Sequence, residues 1–136
     1  MPDINHEIKT NATPEAICLA LTNAHELAKW HTAGTNDKGE TFTTHSNDGP
    51  SFEWKIIKPD AHIVEWKCIE GPGHSVGTIA RFKLSSVADG RTLVEFSHTG
   101  WPDTNGSFRK CNTLWAILLF HLQQYLATHQ TKPAFH

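Results

Sequence analysis

The chain lacks an apolar run long enough to span a bilayer, which takes roughly 20 residues; its densest apolar stretch, Leu114 to Phe120, is far shorter. It also lacks an apolar leader, since Met1-Pro2-Asp3 runs into polar residues, so no secretory signal is expected. Basic runs are missing too. The 12 Lys and Arg are scattered against 14 Asp and Glu, for a net charge of -2. That balance argues against nucleic acid and against a membrane surface as partners. Cysteine is scarce. Cys18, Cys68 and Cys111 are an odd number at wide, irregular spacing, which excludes a disulfide framework and points to a reducing compartment. There is no Cys-x-x-Cys and no His pair at the spacing of a helical zinc motif, so neither a metal nor another cofactor is expected. No repeat, linker or low-complexity segment breaks the chain. Its 136 residues suit one domain, 1–136, at about 100–200 residues per domain. A cytoplasmic location is the expectation.

What is abundant is histidine and tryptophan, with ten and five copies. Ile4 to Thr10 alternates in polarity and predicts a half-buried strand. Thr13-Pro14-Glu15 predicts a helix start, with Thr13 as N-cap and Pro14 in the first turn. A second short helix spans about Ala24 to Lys29 and ends in Trp30-His31, and Gly34 to Gly39 reads as a loop. Period-two patterning then predicts strands over Glu40–Ser46, Phe52–Ile57, His62–Ile69, Val76–Ser85 and Thr92–Gly100. Ser107 to about Thr128 is the final helix. Its segment Leu114 to Phe120 is apolar on nearly every side, which predicts cover on all sides. The tail Gln130 to His136, with Pro133, should leave the helix.

The strand faces constrain one another. A loop Pro59-Asp60-Ala61 would set Trp54 opposite Trp66, Phe52 opposite Cys68 and Ile56 opposite Val64, with Glu53 facing Lys67 and Lys55 facing Glu65. A loop Ala88-Asp89-Gly90 would set Phe82 against Phe96 and Lys83 against Glu95. One face is then charged and wet. The other carries Phe52, Trp54, Trp66, Phe82, Val94, Phe96 and His98, and the last helix must pack there.

Three segments resemble a known family. His6 to Trp30 (HEIKTNATPEAICLALTNAHELAKW), Thr92 to Pro102 (TLVEFSHTGWP) and Cys111 to Thr128 (CNTLWAILLFHLQQYLAT) look like the START-like, or SRPBCC, helix-grip superfamily. Within it they resemble the activator-of-heat-shock-protein-90-ATPase homologues, an AHSA-like family. The chain departs from the common pattern where Thr13 separates Ala12 from Pro14, where Leu114 precedes Trp115, and where Ala127-Thr128-His129 stands at the helix end. The resemblance implies an α+β helix-grip fold (START-like, Bet v-type): a curved, six-stranded antiparallel sheet around a long C-terminal helix, with two short helices after the first strand. It leaves function broad, because that superfamily includes lipid carriers, hormone receptors, polyketide cyclases and co-chaperone domains.

An aromatic face is ordinarily core, yet this fold typically keeps a cavity. The candidate ligand-binding residues are therefore Trp30, Phe52, Trp54, Trp66, Phe82, Phe96, His98, Trp101, Trp115, Leu119 and Leu122. Trp115, Leu119 and Leu122 would form a lid over His98 and the tryptophans. His98 should face inward, either as a core histidine bonded to a neighbour such as Thr78 or as a polar contact for a ligand. Ser97 cannot be its nucleophile partner, because adjacent strand residues face opposite ways. Trp30, His31 and Trp101, at the ends of elements, pack under loops or rim a pocket. No catalytic residue is assigned, and a binding module is favoured over an enzyme. A cyclase or hydrolase would need an inward acid or base, with His98 the one good candidate and Glu40 a second only if it faced inward. The resemblance implies a small apolar or amphipathic ligand as partner. A chaperone is the weaker alternative, and a homodimer stays open.

Overall fold

The computed structural model describes residues 2–47, 49–57, 60 and 62–136. Strand β1 (Ile4–Thr10) leads to α1 (Pro14–Thr22) and α2 (Ala24–Trp30). Strands β2 (Thr35–Asp37), β3 (Thr41–Thr44), β4 (Phe52–Ile57), β5 (Ile63–Glu70), β6 (Ile79–Ser86) and β7 (Thr92–Thr99) follow, and α3 (Ser107–Thr128) closes the chain. The sheet is antiparallel in the order β1-β7-β6-β5-β4-β3-β2. Among the described residues it has seven strands rather than the expected six. The addition is β2, in the segment read as a loop: three polar residues near Gly34 and Gly39 leave no apolar alternation to read. No helix among the described residues is long and apolar enough to cross a membrane.

Local chemistry sets the helix ends. Thr13 Oγ1 accepts the N–H of Ala16 at 3.1 Å, with Pro14 opening α1. Asn23 is a one-residue joint: its backbone N–H donates to Leu19 O, and its side chain accepts from Glu26 N at 3.1 Å to start α2. Each such cap stabilises a helix by about 1 kcal/mol.

The β6–β7 register is as expected, with Phe82 opposite Phe96, Lys83 opposite Glu95, and Gly90 at φ +85° in the turn. The β4–β5 register is not. Trp54 faces Cys68 and Ile56 faces Trp66, two residues away from the expected pairing. The expected loop Pro59-Asp60-Ala61 lies, but for Asp60, outside the described residues. The Asp60 carboxylate accepts the N–H of His62 (2.7 Å) and Ile63 (2.8 Å), which starts β5 later and slides the ladder. A slip of two preserves every face, so alternation could not detect it. The charge pairing does change: Lys55 lies opposite Lys67, while Glu65 is paired across the next ladder with Arg81 at 2.8 Å. Beyond Trp54 the β5 strand carries an extra residue, Ile69, where the register shifts.

Helix α3 grips the inner face of the sheet through Trp115, Leu118, Leu119 and Leu122, all buried. Side-chain bonds from Asn112 to His6 (3.0 Å) and from Gln123 to Lys9 O (2.8 Å) tie it to the edge strand β1. Cover on all sides, expected from composition, is not found. Ile117 and Phe120 are exposed, Phe120 at 58%, because sheet and tail reach only the other faces. After His129, at φ +57°, the tail turns back. Lys132 N–H donates to Lys29 O, Ala134 N–H to Trp30 O and Phe135 N–H to His31 O, and Ala33 N–H donates back to Phe135 O.

Candidate functional site

The tryptophans divide by what their indole N–H groups do. Trp30 donates to Ala20 O and Trp66 to Leu21 O, each at 2.9 Å. These bonds satisfy carbonyls in the last turn of α1, which a helix leaves without partners. Trp115 donates to His98 Nδ1 at 2.9 Å. Trp54 and Trp101 are buried with no partner for Nε1 among the described residues.

His98 is a satisfied core residue. Because Nδ1 accepts the Trp115 proton, the ring proton sits on Nε2, which donates to Thr78 Oγ1 at 2.6 Å. Thr78 passes its own proton to Ser75 O at 2.6 Å. Burial pushes the His98 pKa down to about 3. A second proton on the ring would have to enter between Nδ1 and an N–H already pointing at it. His98 therefore has no lone pair left for acid–base work. Glu40 is exposed and precedes β3, so it supplies no inward acid either.

Space remains at one end of the sheet. A cleft of about 380 Å³ opens between the ends of β3 and β4, the first half of α3 and the returning tail. Phe52, Trp54, Leu114, Trp115, Leu118 and Phe135 form its apolar walls, and His31, Thr32, Thr44, Ser46 and Lys110 give it polar groups. Of the residues expected in a ligand site, Phe52, Trp54 and Trp115 border this cleft. Trp30, Trp66, Phe82, Phe96, His98, Trp101, Leu119 and Leu122 do not border it and pack as buried core. The lid pictured over His98 is thus close packing at Trp115, Leu119 and Leu122, with the open space displaced toward Leu114 and Leu118. His31, named as a rim candidate, does border it.

Sequence reasoning missed the contribution of Thr44, Ser46, Leu114, Leu118 and the tail. One signal was available: Ala134-Phe135 is an apolar pair in a polar tail.

The cleft is poor in reactive chemistry. No Asp or Glu borders it among the described residues. The Cys111 thiol does, but burial pushes its pKa up to about 11, so it stays protonated and inert at neutral pH. His31 is bonded through Nδ1 to Thr32 Oγ1 (2.7 Å), and burial lowers its pKa to about 3. No group of three or more metal-ligating side chains comes together among the described residues. The arrangement suits holding a molecule.

Comparison with known proteins agrees with this architecture. The family described as Activator of Hsp90 ATPase homolog 1-like protein matches residues 11–127. A solution structure described as the Aha1 dimer from Colwellia psychrerythraea is 32% identical at TM-score 0.81, covering 94% of this chain and 98% of that one. XoxI from Bacillus cereus shares the fold at TM-score 0.76 and 14% identity, covering 95% and 98% of the two chains. DynU16, from the dynemicin biosynthetic locus, shares it at TM-score 0.74 and 16% identity, covering 98% of this chain and 49% of that one. No curated protein matches the sequence.

Proposed function

The chain belongs to the Activator of Hsp90 ATPase homolog 1-like family, and from that premise we propose that it binds a small apolar or amphipathic molecule in the cleft beside α3. The observation that carries the reading is the lining. Six apolar side chains, four of them aromatic, surround about 380 Å³ and are accompanied by a few hydroxyl and imidazole groups. Ligand sites are typically apolar concavities of roughly 300–1,000 Å³ with a few placed polar groups. The test is a thermal-shift screen of small apolar compounds on the wild type and on Ala134→Phe, which fills the cleft from the tail. Hits should raise the melting temperature of the wild type and lose their effect in the variant. Hits that act equally on both would place binding elsewhere, and a screen without hits, with nothing co-purified, would sink the proposal. Action on a chaperone ATPase, which the family description names, is the competing reading. A changed ATPase rate on adding this protein would favour it.

We also infer that two copies pair through the outer face of α3. The Colwellia relative is described as a dimer, and Ile117 and Phe120 of this chain stand exposed one turn apart. Large apolar groups clustered on a surface mark interaction sites.

A further inference from the structure

We propose that the cleft takes a small apolar molecule carrying one hydroxyl group, and that the hydroxyl bonds to Nε2 of His31. The inference rests on the binding reading above and adds the chemistry of the ligand.

The buried polar side chains that border the cleft are His31, Thr32, Thr44 and Ser46. The two ring nitrogens of His31 differ. Nδ1 is bonded to Thr32 Oγ1 at 2.7 Å, whereas Nε2 has no partner among the described residues. The indole nitrogens of Trp54 and Trp101 are unpartnered too, but they are sealed from any entering group. His31 Nε2 is not sealed and keeps accessible surface. The space that His31 borders is the cleft. Because the whole residue is only 5% exposed, water has little access to this nitrogen. A ligand atom that reaches it makes a hydrogen bond the fold leaves unmade.

The ring is also held in place. The His31 backbone N–H donates to Leu27 O at 2.8 Å, and its carbonyl accepts the Phe135 N–H at 3.1 Å. The imidazole packs on Trp30 and Trp66, at 5.3 and 6.0 Å between ring centres, and meets Trp115 edge-on at 88°. A partner fixed before binding loses little freedom when the ligand arrives.

The ligand group is uncharged because of its surroundings. Burial holds the His31 pKa at about 3, so the ring is neutral at neutral pH. No Asp or Glu borders the cleft among the described residues, and Lys110 is exposed. A carboxylate or ammonium beside His31 would lose its hydration with no ion partner, whereas a neutral polar group is far cheaper to bury. The choice of a hydroxyl follows from Thr32. Its Oγ1 either takes the Nδ1 proton or gives one to Nδ1, so Nε2 is presented bare or protonated. A hydroxyl matches both forms, since it donates and accepts; a carbonyl or ether oxygen only accepts. The rest of the molecule is apolar because Phe52, Leu114, Leu118 and Phe135 wall the remaining space, and about 380 Å³ limits it to a few fused rings.

The test uses a matched pair of probes, 2-naphthol and naphthalene, which differ by the hydroxyl oxygen. Wild-type protein should bind the naphthol about five-fold more tightly than the hydrocarbon, the range expected of one neutral hydrogen bond. Naphthol should move the His31 Nε2 resonance in a long-range ¹H–¹⁵N spectrum of the ring, and naphthalene should move it far less. In His31→Phe, which keeps a ring in place, the preference should vanish while naphthalene still binds; should that variant fail to fold, the wild-type Nε2 resonance decides. Equal affinity for both probes with an unmoved Nε2, or a preference that survives in His31→Phe, would overturn this inference and leave the binding reading standing. If neither probe binds, the cleft reading falls and this inference falls with it.

Discussion

The indole N–H of Trp115 donates to Nδ1 of His98 across 2.9 Å, and that bond fixes the tautomer of the best-buried histidine in the chain. Through Nε2 the same ring reaches Thr78, and Thr78 reaches Ser75 O, so each donor in the line has one acceptor. The line joins α3 to the turn between β5 and β6, two parts of the chain far apart in sequence. Substituting Trp115→Phe removes the donor and leaves Nδ1 buried without a partner. The expected loss is about 1–3 kcal/mol beyond any packing change, read by urea unfolding. Thr78→Val, which breaks the other end of the line, should lose a similar amount. If both variants unfold like the wild type, the network contributes nothing.

The histidines also predict how stability depends on pH. Burial lowers the folded-state pKa of both His98 and His31 to about 3, whereas the unfolded residues titrate near ~6.5. Below about pH 6.5 the unfolded chain therefore binds protons that the folded chain refuses. Stability from these groups is complete above pH 6.5 and falls as pH drops toward 3. At pH 5 the loss is about 2 kcal/mol for each histidine. Urea midpoints measured from pH 7.5 to 4.5 should fall over this window, and His98→Gln should flatten the slope. Midpoints that stay constant down to pH 5 would contradict the assignment of neutral, buried rings.

Trp54 and Trp66 offer a comparison of like with like. Each is buried on the inner face of the sheet, but Trp66 donates to Leu21 O and Trp54 donates to nothing among the described residues. Trp66→Phe should cost about 1–2 kcal/mol more than Trp54→Phe, since only the first strands a buried carbonyl. Chemical denaturation of the two variants side by side checks the order. The reverse order would mean that the Trp54 N–H has a partner after all.

Pairing through α3 predicts a concentration-dependent mass. Light scattering should report a dimer for the wild type at high micromolar concentration and a monomer for Phe120→Ser, whose side chain is already 58% exposed. The fold should survive that change, because the residue is not part of the core. A wild type that stays monomeric, or a variant that stays dimeric, removes this face as the interface.

The inner face of the sheet could be read from sequence because side chains alternate strictly along a strand. Trp54, Trp66, Phe82, Phe96 and His98 all lie where alternation places them. Pairing was harder to read, because a slip of two residues leaves each face intact and only the Asp60 turn chooses between registers. Strand β2 escaped for want of apolar residues. Its neighbour Gly34 is held by a close approach, since a Cβ there would run into the backbone oxygen of His45, and a contact between distant residues leaves no local pattern. Burial of α3 was overread for the opposite reason: apolar composition states what a helix can bury, and the surrounding elements decide what it does bury. The cleft was the least legible part. Its walls come from strand ends, a helix flank and a tail held by backbone hydrogen bonds, none of which carries a periodicity.

The central claim is that the space beside α3 holds a small apolar molecule. The most direct measurement is a ¹H–¹⁵N titration of the assigned wild-type protein with naphthalene. The account predicts saturable shifts clustered at Thr44, Ser46, Leu118, Phe135 and the Trp54 indole, which share the cleft. An unchanged spectrum, or shifts confined to the outer face around Ile117 and Phe120, would contradict it.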